Sequence, residues 1–301
     1  MKKDTGWFFA KVGGGSEEGF KHAGMQYFEA SPDYYVARET IQNSLDAKDK
    51  RKKGEPVVVQ FKFFKTDIGD AIPDLENYQS ILEECSRSSE KIKTAKNFFK
   101  KALQTTKKEQ INILQISDYG TVGIKDINKD GGRWHNLVKK KGESEAQGFV
   151  GGTFGIGKSA PFTSSGLRTV LYNTKNIQHN KGYIWKSIFT LHGSQPKRQN
   201  EGYYCEHFEE NDEIYSHGFK NSDAQIKPKF INREEFGTDL YIYDYKQQDT
   251  RNSDEDKSVP WNVSFEMVIM NNYFASIYDN QLKVKFIDES KGIDYELSAT
   301  N

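Results

Sequence analysis

Three polar residues lie on one face of a predicted helix in the first third of the chain. Glu39, Asn43 and Asp46 occupy positions i, i+4 and i+7 of the segment ARETIQNSLDAK, and residues at this spacing share a helix face. A carboxylate one turn from a carboxamide suits a water-activating base beside a metal ligand, because Mg²⁺ takes oxygen ligands and keeps several waters. A solvent-facing polar stripe on an amphipathic helix explains the same spacing.

A second polar position, Asp118, ends an apolar run in the segment ISDYGTVGI. Gly120 and Gly123 follow it, and paired glycines predict a tight turn. A carboxylate held at the start of such a turn can accept a hydrogen bond from an exocyclic amine such as that of adenine. An ordinary turn at the end of a strand is the alternative interpretation.

The third segment, GGTFGIGKSAPF over residues 151–162, is rich in glycine. Gly152, Gly155 and Gly157 let the backbone approach phosphates closely, and successive N–H groups form a nest for anions. A following helix would add its positive N-terminal end, and Lys158 adds a compact cation. The segment therefore predicts a phosphate site.

The same segment fits the Walker A pattern, with Gly152, Gly157, Lys158 and Ser159 at the required positions. A P-loop also needs a buried strand immediately before it, for which QGFVG is short and broken by glycine. It needs a later apolar strand ending in an aspartate, which LYIYD, ending at Asp244, supplies loosely. This alternative leaves the first two segments unexplained.

Helices and strands must position these residues. The apolar spacing predicts a helix over Asp33–Lys50, a second over Phe265–Tyr278, and two more within a helical insertion at 71–109. Strands are predicted at Pro56–Lys65, Ile111–Ile116, Thr169–Thr174, Tyr183–Leu191, Thr238–Tyr245 and Gln281–Ile287. Residues 1–32 are expected to form an extended N-terminal arm. The absence of regular βαβ alternation favours an α+β fold, a two-layer sandwich in which helices cover one face of a mixed sheet.

Composition, charge and cysteine spacing bear on whether the chain binds nucleic acid, membranes or metal. The 301 residues include 43 basic and 43 acidic side chains, and a zero balance gives no global attraction to nucleic acid or anionic membranes. The basic runs Lys48–Lys53 and Lys139–Lys141 leave DNA binding open, although solvated surfaces explain them equally well. No run of 18 apolar residues predicts a membrane span. Cys85 and Cys205 lack the spacing of a metal site, and so few cysteines suit a reducing cytoplasm.

In their order and rough spacing, these segments resemble the motifs of the GHKL, or Bergerat-fold, ATPases. That family includes gyrase B subunits, ninety-kilodalton heat-shock chaperones, MutL, MORC proteins and histidine kinases. The matching residues are Glu39, Asn43, Asp46 and Ala47 for the first motif, Asp118, Gly120 and Gly123 for the second, Gly152, Gly155 and Gly157 for the third, and Gly237 and Thr238 for the fourth. The second motif departs from the family pattern, since two residues rather than one separate its glycines. Lys158 followed by SAPF is most similar to bacterial MutL/MORC-like ATPases of restriction or phage-defence systems.

The resemblance implies a role for each matched residue within an ATP-binding domain at 33–250. Glu39 would be the general base, Asn43 the magnesium ligand, and Asp118 the acceptor for the adenine amino group, with Thr238 helping through water. Asp46 and Ala47 would border the nucleotide. Residues 119–150 would form an ATP lid. The phosphates would lie in a cradle built by Gly152, Thr153, Phe154, Gly155, Ile156, Gly157, Lys158 and Ser159.

The resemblance also implies partners for the chain and a catalytic lysine that a second domain would supply. Its members dimerise when ATP closes the lid, and subfamily members act with DNA or with other defence-system proteins. In some relatives a lysine from a second, transducer domain reaches the γ-phosphate; residues 260–301 would only begin such a domain, so hydrolysis by this chain is expected to be weak. A nucleotide-sensing scaffold with little turnover is one rival hypothesis. Histidine-kinase phosphotransfer is another, but His22 in the arm lies in no suitable phosphoacceptor helix.

Overall fold

The strands form one large mixed sheet. The computed structural model describes residues 4–13, 19–20, 23–139, 157–194, 196–210, 213–220, 228–246 and 259–300. The strands are β1 Asp4–Lys11, β2 Val57–Asp67, β3 Gln110–Tyr119, β4 Thr169–Lys175, β5 Lys181–Ile188, β6 Arg198–Glu210, β7 Glu213–His217, β8 Phe219–Lys220, β9 Gly237–Tyr243, β10 Leu282–Asp288 and β11 Ile293–Leu297. Their order is β1-β6-β5-β4-β9-β3-β2-β10-β11, with β7 beside β6 and β8 beside β5. The β2–β10 pair is parallel, whereas β2–β3, β3–β9 and β4–β9 at the centre are antiparallel.

The helices are distributed over the two faces of this sheet. They are α1 Ala23–Gln26, α2 Pro32–Asp46, α3 Ile68–Ala71, α4 Leu75–Ser88, α5 Lys93–Thr105, α6 Arg133–Val138, α7 Ala160–Thr163 and α8 Trp261–Tyr278. Strand side chains alternate between faces, so Val59 and Phe61 of β2 join one apolar cluster with α2 and α8. Ile111 and Ile113 of β3 join a second cluster with α4 and α5. The general α+β class with a mixed sheet is thus confirmed.

The expectation that helices cover only one face is wrong. The insertion at 71–109 folds into α4 and α5, as its periodicity predicted, and both helices are amphipathic. Tyr78, Leu82 and Cys85 of α4 are fully buried, as are Phe99 and Ala102 of α5. They pack on the face opposite α2, because the sheet has apolar side chains on both sides and each must be removed from water.

The described part of residues 260–301, where the start of a second domain was predicted, packs on the main sheet. The strand β10 lies parallel to β2, with Val284 opposite Val59. Phe265 of α8 packs on Phe61 at a ring-centroid distance of 4.9 Å. The segment therefore completes the first apolar cluster and extends the same sheet.

Two further features lie outside the sequence prediction. The polar stretch 192–236, for which no element was predicted, contains β6, β7 and β8, and the N-terminal arm contributes β1, which pairs with β6. Most residues of β6 are polar, so an alternating apolar pattern is weak in its sequence. Within the described ranges, no helix has the length and apolar character needed to cross a membrane.

Candidate functional site

Backbone hydrogen bonds fix the end of α2 against the turn after β3. The Val122 N–H donates to the Ala47 carbonyl at 2.9 Å, and the Asp49 N–H donates to the Gly120 carbonyl at 2.9 Å. These bonds satisfy a carbonyl at the helix C-terminus, which has no partner within the helix. They also set the distance between α2 and the end of β3, where Asp118 lies.

The Asp118 carboxylate is the centre of this junction. Its Oδ1 accepts the Thr121 hydroxyl at 2.5 Å and the Thr238 backbone N–H at 2.9 Å. Its Oδ2 lies 3.4 Å from the Ser44 hydroxyl, which also donates to the Thr40 carbonyl at 2.8 Å. One carboxylate oxygen is therefore fully used by the protein, and the other has lone pairs left for a ligand donor.

Burial of Asp118 perturbs its ionisation. The side chain is only 12 % exposed, and desolvation raises the pKa of the carboxyl above its ordinary value. The charge of Arg233 and the hydrogen bonds from Thr121 and Thr238 act in the opposite direction. A buried acid with a raised pKa and specific partners is a candidate functional residue.

Arg233 supports this carboxylate from behind. Its guanidinium donates to the backbone carbonyl of Asp118 and to the carboxylate of Asp239. It also donates to the carbonyls of Glu235 at 3.0 Å and Phe236 at 3.1 Å. The side chain is 4 % exposed, so this single cation joins the end of β3 to the loop before β9.

Glu39 and the glycine-rich segment meet directly. Gly157 lies so close to the half-buried Glu39 that a β-carbon on the glycine would overlap the carboxylate. Gly157, Lys158 and Ser159 form one turn of 3-10 helix that leads into α7. The absence of a side chain at Gly157 therefore allows this close approach.

The remaining predicted site residues lie on the exposed side of α2, beside α6 or outside the described ranges. Asn43 and Asp46 are exposed on α2, and Gln42 donates to Asp46 at 3.0 Å. The Lys158 ammonium donates a hydrogen bond to the Asn136 carbonyl in α6. Five predicted phosphate ligands lie outside the described residues: Gly152, Thr153, Phe154, Gly155 and Ile156.

The predicted lid at 119–150 is described as far as residue 139. Gly120 and Gly123 both have positive φ, and a β-carbon on Gly123 would overlap the Lys175 carbonyl. The Ile124 N–H donates to the Thr174 hydroxyl at 2.9 Å, and the Asn128 side chain donates to the Gly218 carbonyl at 2.7 Å. The turn after Asp118 is thus attached to β4 at Gly123, whereas a β-carbon on Gly120 would lie 3.1 Å from the Pro56 carbonyl, next to β2.

A pocket of about 290 Å³ opens beside this turn. Gly120 and Thr121 form part of its wall, opposite Lys175, His179 and Phe236. The Thr121 hydroxyl, which donates to Asp118, connects the pocket wall to the carboxylate. Ligand pockets commonly measure roughly 300–1,000 Å³, so this space lies at the lower limit of that range.

The geometry argues against the P-loop alternative. Asp244, the acid that a P-loop would require, accepts a hydrogen bond from Thr105 of α5 at 3.3 Å. Helix α5 covers the second face of the sheet, whereas Lys158 contacts α6 and follows Gly157, which lies against α2 on the first face. The helix after Ser159 is a single turn, so its dipole is short.

The basic run borders this junction, since the Asp49 N–H bonds the Gly120 carbonyl and Lys52 lines the pocket. In the basic run, Arg51 forms an ion pair with Asp49 at 2.7 Å and Lys52 lies 3.6 Å from Glu55. Cys85 and Cys205 are free and buried. Among the described residues, no group of three or more His, Cys, Asp or Glu side chains could hold a metal ion.

Sequence reasoning missed Ser44, Thr121 and Arg233. Ser44 directly follows Asn43, and Thr121 lies between the two glycines of the second motif, so proximity to the motifs was a usable signal for both. Arg233 lies in a polar stretch with no distinctive pattern. Comparison with known proteins finds no family model and no curated protein that matches the chain.

Proposed function

We propose that the chain binds Mg-ATP where α2, the end of β3 and the start of β9 meet, and hydrolyses it as a GHKL-type ATPase. The observation that carries this proposal is the state of Asp118. It is buried, one oxygen is held by Thr121 and Thr238, and the other faces α2, where the Ser44 hydroxyl lies 3.4 Å away as its one hydrogen-bond partner among the described residues. That oxygen is the acceptor for the amino group of adenine.

The remaining roles follow from position. Glu39, one turn before Asn43 on α2, acts as the base that takes a proton from water. Thr238 contacts the adenine ring through water. The turn Gly157–Ser159 beside Glu39 forms the described end of the phosphate cradle. Asp46 and Ala47 border the nucleotide at the end of α2.

Magnesium fits this arrangement as a nucleotide-borne ion. The described acidic and histidine residues form no cluster that would hold a metal by themselves, whereas the carboxamide of Asn43 is exposed one turn from Glu39. Mg²⁺ commonly uses few protein ligands together with phosphate oxygens and water. When bound, it would neutralise phosphate charge. ATP-dependent lid closure and dimerisation, and partners such as DNA or defence-system proteins, stay predictions.

Calorimetric titration with ATP, with and without magnesium, tests the binding site. Asp118→Asn should weaken binding by roughly 10- to 100-fold, because a hydrogen bond to a charged group contributes about 1.5–3 kcal/mol. Asp244→Asn is the matched control, since Asp244 is also a buried acid at the end of a strand, and it should bind normally. Loss of binding in Asp244→Asn and Lys158→Ala, but not in Asp118→Asn, would establish the P-loop alternative.

Phosphate release tests the chemistry separately. Glu39→Gln should reduce turnover by roughly 10²–10⁴-fold, the usual contribution of a general base, while ATP affinity changes little. Binding without any turnover in the unmodified chain would instead support a nucleotide-sensing scaffold. Absence of ATP binding by the unmodified chain would refute the proposal.

A further inference from the structure

Several cationic side chains lie around Asp244, where α5 meets the end of β9. Four cations, called here the cation cluster, interact electrostatically with one another or with this carboxylate: Lys101, Lys108, Arg168 and Lys246. The chain as a whole is neutral, so positive charge is locally in excess at this point. Because α5 covers the second face of the sheet, the cluster lies on the face opposite α2.

One face of α5 forms a wall of this cluster. The residues of that face follow one another at intervals of three, four and three, which places them on one side of the helix and of the turn after it: Phe98, Lys101, Thr105 and Lys108. The Thr105 hydroxyl donates to the Asp244 carboxylate at 3.3 Å. The Lys246 ammonium lies 5.9 Å from the ring centroid of Phe98. Lys101 lies between these two contacts on the same face.

Arg168 is a buried cation without an ion pair. It is 6 % exposed, and among the described residues no carboxylate lies within 4.0 Å of its guanidinium. One N–H group donates to the Phe20 carbonyl at 2.9 Å, and the guanidinium lies 5.0 Å from the ring centroid of Phe98. Burial lowers the pKa of Arg168 to about 10, against the charge of Glu29. A guanidinium has five N–H donors, and a buried charge is costly unless it is paired, so Arg168 suits a further anionic acceptor.

Asp244 does not neutralise the cluster. The carboxylate of Asp244 and the side chain of Lys246 both lie against Gly166, where a β-carbon would overlap them. Within the described ranges these two charged groups form no ion pair within 4.0 Å. Desolvation raises the pKa of Asp244 and lowers that of Lys246, whereas close pairing of opposite charges would shift each pKa the other way.

The chemistry of the cluster selects a phosphate group. Lys101, Lys108 and Lys246 are exposed, so an anion from solvent can reach their ammonium groups, whereas Arg168 lies deeper. A guanidinium binds phosphate oxygens in pairs, and lysines contribute point charges. A phosphate monoester has a charge of about −1.5 to −2 at neutral pH and three acceptor oxygens, so one such group engages several cations at once. A carboxylate, with a single charge, compensates less of the cluster.

We propose that the cation cluster binds the terminal phosphate group of a small phosphorylated molecule, at a site separate from the one proposed for ATP. Arg168 and Lys246 approach the same ring of Phe98, so the cations converge on one point. This convergence suits a single dianion, whereas the repeating monoanions of a nucleic-acid backbone require cations spread along a track.

Calorimetric titration with inorganic phosphate, at constant ionic strength and without nucleotide or magnesium, tests the site. The unmodified chain should bind phosphate saturably. Lys101→Met and Lys246→Met should each weaken binding by roughly 10- to 100-fold, the usual effect of losing a charge-assisted hydrogen bond. Lys100→Met is the matched control, because Lys100 is also exposed on α5 but points about 100° away from Lys101 around the helix. It should bind phosphate normally.

Two results of this titration would overturn the proposal. Either the unmodified chain binds no phosphate, or Lys100→Met loses as much affinity as Lys101→Met, which would show a general effect of surface charge. A further variant, Lys158→Ala, separates this site from the predicted phosphate cradle on the other face and should keep phosphate binding. Loss of binding in Lys158→Ala, with Lys246→Met unaffected, would place the phosphate at the cradle and also refute the proposal.

Competition measurements separate a terminal phosphate from a nucleic-acid backbone. Dimethyl phosphate, a monoanion that resembles the backbone linkage, should compete with phosphate poorly, and so should a DNA duplex with hydroxyl groups at both ends. A duplex that displaces phosphate, and binds Lys246→Met more weakly than the unmodified chain, would identify a nucleic-acid surface instead. These measurements contain no nucleotide, so their failure would leave the proposed ATPase function untouched.

Discussion

The Ser44 hydroxyl lies 3.4 Å from Oδ2 of Asp118, although the two residues are 74 positions apart in the chain. This contact joins the helix that contains Glu39 and Asn43 to the strand end that contains the buried acid. It also identifies the Asp118 oxygen that the protein leaves available. The predictions below test this junction and the residues that hold it.

Ser44→Ala should weaken ATP binding by about two- to tenfold, the range expected for one neutral hydrogen-bonding group at about 0.5–1.5 kcal/mol. Thr40→Ala is the matched control, because the Thr40 hydroxyl donates to the Val36 carbonyl at 2.6 Å in the same helix without approaching Asp118. Calorimetric titration with ATP compares the affinities of the two variants with that of the unmodified chain. Equal effects would mean that the Ser44 contact serves only the helix.

Gly157→Ala should reduce turnover, because the added methyl group would displace the Glu39 carboxylate or the turn beside it. Overpacking of this kind typically costs about 1–3 kcal/mol of unfolding free energy. Gly69→Ala controls for the substitution, since a β-carbon there would meet no atom within 4 Å. Turnover at the unmodified rate in Gly157→Ala would remove Glu39 from the catalytic role.

The stability of the protein should depend on pH through Asp118. Burial raises the pKa of this carboxyl in the folded state above the ordinary 3.8, so the folded protein holds the proton more tightly than the unfolded chain does. Stability from this group is present below about pH 3.8 and is lost as the pH rises through the folded-state pKa. Urea unfolding of Asp118→Asn should therefore show its free energy of unfolding rising, relative to the unmodified protein, from acidic to neutral pH.

Asp49 supplies a control of opposite sign. Hydrogen bonds from Arg51 lower the pKa of Asp49 to about 2, so its contribution is present above pH 3.8 and is lost as the pH falls toward 2. Asp49→Asn should therefore lose relative stability as the pH rises over that interval. If both variants followed the same trend, the assignment to Asp118 would be wrong.

Arg233→Met should lower the free energy of unfolding by about 3–5 kcal/mol, the usual effect of leaving one partner of a buried ion pair uncompensated. Among the described residues, the Asp239 carboxylate would keep its bond from Asn173, at 2.7 Å. Lys96→Met removes a surface pair, in which the side chains of Lys96 and Glu90 are 38 % and 76 % exposed, and should cost under about 1 kcal/mol.

A double-mutant cycle separates this pair from other losses. Adding Asp239→Asn to Arg233→Met should restore part of the stability, since the buried charge is then absent. Additive losses in the cycle would show that Arg233 acts mainly through the backbone carbonyls that it binds.

Local patterns in the sequence predicted the elements that contain the site. The helix α2, the strands β3 and β9 and the helices of the insertion follow from apolar periodicity, because burial of one face of each element repeats along the chain. The strand β6, which lies between β1 and β5, was missed, since most of its residues are polar. The β10 strand was predicted, but not its parallel position beside β2, which depends on residues more than 200 positions away.

The sequence by itself determined the candidates for functional chemistry in this protein: a carboxylate and a carboxamide on one helix face, an acid at a strand end, and two segments with closely spaced glycines. Tertiary structure alone decided which of them meet. It placed Ser44 and the Thr238 backbone at Asp118, Glu39 at Gly157, and Arg233 behind the carboxylate. Pairing of distant strands and packing of helices across a sheet set these contacts, and neither leaves a local periodicity in the chain.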